Sequence, residues 1–324
     1  MKSNVNQENI EGRVYEHNLA VKTVTNQQSK NFGKEFIAGT LSVATDEAGL
    51  QVLTVHYTYV TETTANGNKN ATYGNLKRII ESGKTWVTDG KDAATKVKLS
   101  TSAALNDFYP QGGDQLVSQQ RNEGGFVSIV NELNSKEAAR RKFTFDAIIT
   151  GAVLIEADPE RNVSEDYLKI NAAIFNFKND ILPFTLVARD KGAIDYFLSL
   201  DASPSNPVYT NLWGEIVNTT VKIEKTIESA FGEPTVDVTE RSQREWVVTG
   251  AKPEPYVFGL ENTITSEELS AKIAARNVYL EEVKTRAKEY YANRGAAAPS
   301  GFGMNPPVGN LQPNNTIPQG GFNF

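Results

Sequence analysis

The sequence predicts a mainly β protein with a long amphipathic helix and a disordered tail at its C-terminal end. Segments rich in β-branched and aromatic residues recur through residues 31–262 and are separated by turns that contain Gly, Asn and Asp. Residues 263–294 instead repeat apolar side chains at helical spacing. The last 30 residues, 295–324, carry no charged side chain and include 11 Gly or Pro, so they lack the apolar surface that ordering requires.

The first β-rich domain, residues 31–133, opens with a predicted hairpin. Residues 36–45 alternate between apolar and small or polar side chains, as one half-buried strand does. Residues 46–49 form a turn of hairpin length, and residues 50–60 follow as a long strand rich in β-branched and aromatic residues. The polar, Asn- and Gln-rich residues 1–30 are expected to form a flexible N-terminal arm.

A second β-rich domain is expected at residues 143–262. It is separated from the first by residues 134–142, whose polar and basic composition indicates a linker. The helix at residues 263–294 begins at a capping box, because Thr265 is followed by Glu268 three residues later.

Catalysis is not expected from this composition. The chain has no cysteine and only two histidines, His17 in the polar arm and His56 in a strand, so neither a zinc site nor a Ser-His-Asp triad is expected. No phosphate-loop or nucleophile-elbow motif is present. The sequence therefore predicts a protein that is not an enzyme and uses no metal and no cofactor.

The sequence also predicts a protein without a membrane anchor. No run of about 18 apolar residues occurs in the chain, and the N-terminal residues are polar rather than signal-like. We therefore expect a cytoplasmic protein.

Binding of single-stranded nucleic acid is the activity that the composition favours. Residues 69–98 contain seven Lys or Arg against three acidic residues, a local net charge of +4 in a chain of net charge −6. Aromatic residues lie within this segment and just upstream of it. Single-strand binders combine cations, which follow the phosphates, with flat rings on which bases stack.

A second basic cluster near residue 140 is a further candidate for phosphate contact. The full set of predicted nucleic-acid contacts is Tyr57, Tyr59, Lys69, Tyr73, Lys77, Arg78, Lys84, Trp86, Lys96, Lys98, Arg140 and Arg141.

The hairpin at residues 36–60 resembles the opening of an OB-fold, and the chain as a whole is similar to bacteriophage single-stranded DNA-binding proteins. The resemblance implies an OB-like five-stranded barrel at residues 31–133, with a helix between its third and fourth strands. Residues 143–262 could hold a second, divergent barrel of the same kind, although no sequence repeat proves it.

The same resemblance implies sequence-independent binding of single-stranded DNA during phage DNA replication or recombination, in the cytoplasm of an infected bacterial host. A Gly-, Pro- and Asn-rich tail is typical of that class, and its tip recruits replication or recombination proteins. The expected partner-binding residues here are Phe322 and Phe324, although this tip is uncharged where the family tip is acidic. Homo-oligomerisation is left open.

Two other functions remain open at this stage. Long Thr- and Asn-rich strands also occur in viral structural or assembly proteins built of β-sandwich domains, which would self-assemble without nucleic acid. A β-rich interaction module, such as an inhibitor of host defence, is the other alternative.

Overall fold

The computed structural model describes residues 4–158, 163, 165–227, 231, 235–260 and 263–295. The strands in the described part are β1 (Asn6–His17), β2 (Ala20–Thr23), β3 (Glu35–Ala44), β4 (Val52–Thr61), β5 (Lys96–Phe108), β6 (Val117–Ile129), β7 (Arg141–Ile155), β8 (Tyr167–Phe175), β9 (Ile181–Ala188), β10 (Val208–Ile227) and β11 (Thr235–Ala251). The helices are α1 (Ala71–Ser82), α2 (Trp86–Asp89), α3 (Lys191–Ser199) and α4 (Ser266–Gly295). The predicted mainly β fold with a long C-terminal helix is confirmed.

The first five-stranded ring consists of β1, β3, β4, β6 and β5, each hydrogen-bonded to the next, and β5 closes the ring on β1. All these pairs are antiparallel except β4 with β6, where Val55 pairs with Asn122 in parallel. Helix α1 lies in the chain between β4 and β5 and packs against β6, β3 and β4. A helix between the third and fourth strands of a five-stranded barrel is what the OB-fold resemblance implies.

The second ring repeats this topology with β7, β8, β9, β11 and β10. Its one parallel contact is again between the third and fifth strands, at Val187 and Val247, and α3 again precedes the fourth strand. The two rings are joined side by side because β1 pairs with β7 from Asn6–Phe145 to Ile10–Arg141. Their buried apolar side chains form one continuous core.

The segment predicted as a flexible arm at residues 1–30 instead contains β1, which lies at the centre of the joined sheet. Glu8, Ile10 and Val14 are buried, and β1 pairs with β3, β5 and β7. The alternation of buried and exposed positions along β1 is hard to recognise in the sequence, because Glu8 and Gly12 occupy two of the inward positions where large apolar residues are expected. A Cβ at Gly12 would lie 2.1 Å from the backbone oxygen of Ala44, so the close strand approach requires glycine.

Residues 134–142 are likewise more ordered than a solvated linker. A 3-10 turn at Glu137–Arg140 leads directly into β7, and Arg140 is buried. Its Nη1 donates to Glu47 Oε1 at 2.8 Å, and its Nε donates to the Asn134 backbone oxygen at 2.6 Å. The basic side chain is therefore held by a carboxylate in the distant β3–β4 turn.

Helix α4 begins with the predicted capping box. Thr265 N donates to Glu268 Oε2 at 2.9 Å, and Glu268 N donates to Thr265 Oγ1 at 3.1 Å. The first turns pack against the second ring through Leu269. Farther along, Arg276 pairs with Asp107 of the first ring at 2.7 Å, so the helix contacts both rings. Residues 296–324, with Phe322 and Phe324, lie outside the described residues.

The β10–β11 hairpin extends beyond the second ring as a two-stranded ribbon. Its pairing continues from Ile216–Trp246 to Ile227–Thr235. Near its base, Gln51 and Asn218 exchange two hydrogen bonds of 2.9 and 2.7 Å between side chain and backbone. The ribbon base therefore rests against the start of β4 in the first ring.

Candidate nucleic-acid interface

A β-bulge shapes the outer face of β3 and β4 in the first ring. Ile37 pairs with Val60 and Gly39 pairs with Tyr57, so two residues of β4, Thr58 and Tyr59, stand opposite one residue of β3. A bulge of this kind reverses the alternation of side chains along the bulged strand. Tyr57 therefore points into the ring, whereas Tyr59 points out.

Exposed Tyr59 forms an aromatic pair with half-buried Phe36. The ring centroids lie 4.7 Å apart at an interplanar angle of 40°, and 46% of Tyr59 is accessible. Asn31 Nδ2 donates to Tyr59 Oη at 3.1 Å, and Lys34 Nζ donates to Asn31 Oδ1 at 3.2 Å. Lys22 pairs with Phe36 across β2 and β3, which places it beside the two aromatic side chains. We call Phe36, Tyr59, Lys22, Asn31 and Lys34 the aromatic patch.

The aromatic patch has the chemistry for holding an unpaired base next to a phosphate. Its rings offer a stacking surface, and Lys22 and Lys34 are exposed cations on the same short stretch of sheet. Asn31 orients the phenol of Tyr59 and joins it to the ammonium group of Lys34. None of these contacts reads a base edge, so the surface suits binding without sequence preference.

Two of the predicted stacking residues are core residues instead. Tyr57 is 2% exposed, and burial raises the pKa of its phenol. Tyr73 is 4% exposed on α1 and donates its Oη to Glu35 Oε2 at 3.1 Å, and burial and this bond raise its pKa. Both side chains belong to the buried hydrophobic core, so neither is available to a base.

The predicted cations near α1 do not belong to the aromatic patch. Lys69 is exposed in the β4–α1 connection, where it bridges to Thr63 just beyond the end of β4. Lys77 lies 5.9 Å above the ring of Tyr73, and Arg78 is exposed on the same helix.

The remaining predicted contacts lie on other parts of the ring. Trp86 begins α2, packs 6.1 Å from Tyr15 and covers Gly49, while Lys84 is exposed just before that helix. On β5, Lys96 Nζ donates to the Asn131 backbone oxygen at 3.0 Å, and Lys98 is exposed opposite Glu11. Arg140 is held by Glu47, and Arg141 lies 3.7 Å from Glu215.

Sequence reasoning missed Phe36, Lys22, Asn31 and Lys34. Lys22 fell in the segment expected to be a loose arm, and Phe36 was predicted only as a strand residue. Asn31 and Lys34 follow that segment, in the β2–β3 connection, and nothing in the local sequence marks them as neighbours of Tyr59. The β-bulge brings Phe36 and Tyr59 together on the outer face of the first ring. A bulge cannot be recognised from the alternation of apolar and polar residues in the sequence.

The described part of the chain holds no group of three or more His, Asp or Glu residues arranged to bind a metal ion. None of its helices has the length and apolar character that crossing a bilayer requires.

Comparison with known proteins places the chain in a family. The YorF family sequence model matches residues 4–286. No curated protein matches the chain. Two similar solved structures are the wild-type single-stranded DNA binding protein of Thermus aquaticus, at 10% identity over 81% of this chain and 98% of that chain, and a deletion mutant of it, at 11% identity over 81% and 100%. Each has a TM-score of 0.46. Because the family match spans nearly the whole described chain, the protein is a member of the YorF family.

Proposed function

We propose that this protein binds single-stranded DNA without sequence preference, and that the aromatic patch is its principal stacking site. The observation that carries the proposal is the surface pair of exposed Tyr59 and half-buried Phe36, flanked by Lys22 and Lys34. It lies on the second and third strands of a five-stranded ring, the face on which OB-folds bind oligonucleotides.

The proposed contacts differ from the sequence prediction. Tyr59 is retained from it, and Lys69 is retained as a flanking cation because it is exposed just beyond β4. Phe36, Lys22 and Lys34 are added. We further propose that each five-stranded ring forms one of the two domains of the chain.

The biological setting is the one implied by the resemblance to phage proteins: DNA replication or recombination in an infected bacterial cell. Recruitment of partner proteins by Phe322 and Phe324 belongs to the same proposal, as does self-association. What supports this setting is the OB-like hairpin at residues 36–60 and the composition of residues 295–324.

The first test is fluorescence anisotropy with a labelled dT oligomer, a duplex of equal length and the matching RNA. We expect tight binding of the single strand, weak binding of the duplex and an affinity that falls as salt rises. Loss of one stacking contact costs about 1–3 kcal/mol, so Tyr59→Ala should weaken binding roughly 5- to 150-fold.

Phe177→Ala is the matched control. Phe177 is 91% exposed in the β8–β9 turn of the second ring, so its removal deletes an aromatic side chain that is more accessible than Tyr59 and lies away from the patch. Equal losses from both variants, or no binding by the wild type at low salt, would refute the proposal. Light scattering without DNA checks the alternative of self-assembly.

A further inference from the structure

Two arginines, one from each ring, lie beside one histidine where the rings meet. Arg121 comes from β6 of the first ring, Arg244 comes from β11 of the second, and His56 lies on β4. Arg244 Nη1 donates to Asn122 Oδ1 at 2.8 Å and lies 3.4 Å from the Thr54 backbone oxygen. The second ring therefore places the guanidinium group of Arg244 against β4, the strand that also carries Tyr59.

The positive charge of these two arginines is only partly compensated. Arg121 Nη2 donates to Glu123 Oε1 at 2.8 Å. Behind Arg244 lies Glu8, which is fully buried and has a raised pKa because of that burial. His56 is largely neutral near pH 7, since burial and the two arginines lower its pKa to about 4.

The two guanidinium groups also retain hydrogen-bonding capacity. Among the described residues, Nε of Arg121 and Nε of Arg244 are enclosed and have no acceptor, as is also true of Nε in Arg13, Arg141 and Arg276 elsewhere in the fold. A charged donor left without a partner in a buried position is costly, and a group of this kind calls for an explanation in a folded protein. Planar guanidinium donors match the oxygens of a phosphate better than those of any neutral ligand.

We propose that Arg121, Arg244 and His56 form an inter-ring phosphate site that takes a phosphodiester of a bound single strand. This inference rests on the proposed function, because the same strand would stack on Tyr59. His56 and Tyr59 are three residues apart on β4, a separation of roughly 10 Å at about 3.3 Å per residue. Since each ring supplies one arginine, a phosphate held here is contacted by both rings.

The test combines salt-dependent binding with a measurement that needs no DNA. In titrations with a dT oligomer, Arg121→Gln should lower affinity and reduce the slope of log K against log salt by roughly 0.7, the value for one phosphate contact on a single strand. Arg78→Gln removes an exposed arginine from α1 and should leave the slope nearly unchanged. Arg244→Lys, which keeps the positive charge, should lose less affinity than Arg244→Gln.

In the second arm, the thermal unfolding of the wild type is followed in pyrophosphate and in chloride at equal ionic strength. We expect pyrophosphate to raise the midpoint, and Arg121→Gln to abolish the rise. Within the described part of the chain, Arg121 forms its ion pair with Glu123, two residues away, so this variant keeps the test valid if Arg244→Gln does not fold.

The outcomes separate this inference from the proposed function. If Tyr59→Ala weakens DNA binding while Arg121→Gln changes neither affinity nor slope, the phosphate site is refuted and the proposed function stands. If the wild type binds no DNA, the proposed function fails. Stabilisation by pyrophosphate that depends on Arg121 would then still support the anion site, and its absence would overturn it.

Discussion

Gly39 is the position at which the fold and the proposed stacking surface depend most directly on each other. It borders the bulge that turns Tyr59 outward, and its φ of +138° lies in a region that L side chains rarely adopt. A Cβ at this position would lie 2.6 Å from the backbone oxygen of Asn18 and 2.8 Å from Cα of Leu19. These are backbone atoms, so the contact cannot be relieved by a side-chain rotation.

Gly39→Ala should therefore destabilise the protein. Backbone strain of this kind costs about 1–3 kcal/mol, and the overlap with the strand connection adds to it. The variant should also bind DNA less tightly at temperatures where it remains folded, because relief of the overlap shifts β3 against the bulge. Urea unfolding measures the first effect and oligomer anisotropy the second.

Gly74→Ala is the matched control. Gly74 lies in α1, and a Cβ there would meet nothing within 4 Å. Alanine in a helix is favoured over glycine by about 0.5–1 kcal/mol, so this variant should be more stable than the wild type. Equal stability of Gly39→Ala and the wild type would refute the account of the bulge.

Two further predictions concern buried or paired carboxylates. Hydrogen bonds from Arg140, Lys91 and Arg13 lower the pKa of Glu47 to about 2, so its contribution to stability is present above the unfolded pKa of 4.5 and is lost as pH falls from there towards 2. Glu47→Gln should lower the urea midpoint at pH 7 and flatten its pH dependence in that window; an unchanged acid profile would contradict the assignment. Burial raises the pKa of Glu8, so wild-type stability falls as pH rises from 4.5 towards the folded pKa. Glu8→Gln should therefore gain stability relative to the wild type as pH rises, and a pH-independent difference in urea unfolding would count against this.

The sequence predicted those parts of the fold that depend on local pattern. Residues 36–60 alternate strongly and form β3 and β4, and the reciprocal bonds of Thr265 and Glu268 begin α4. Strand β1 was missed because Glu8 is an inward position. Its carboxylate accepts hydrogen bonds from Trp246 Nε1 and Thr101 Oγ1, and these partners are far away in the sequence.

The candidate site was less predictable than the fold. Strict alternation puts Tyr57 and Tyr59 on one face, but the bulge separates them. Arg140 was expected to meet phosphate, whereas Glu47, 93 residues away, holds it in a partly buried ion pair. Both errors come from pairings that only the assembled rings create.

The most direct test of stacking on the aromatic patch compares a dT oligomer with an abasic oligomer of the same length and the same number of phosphates. The wild type should bind dT more tightly, because only dT offers rings to Phe36 and Tyr59. Tyr59→Ala should bind the two oligomers with nearly equal affinity, close to that of the wild type for the abasic strand. If the wild type does not distinguish them, or if Tyr59→Ala retains the full preference for dT, stacking on this patch is not the basis of binding.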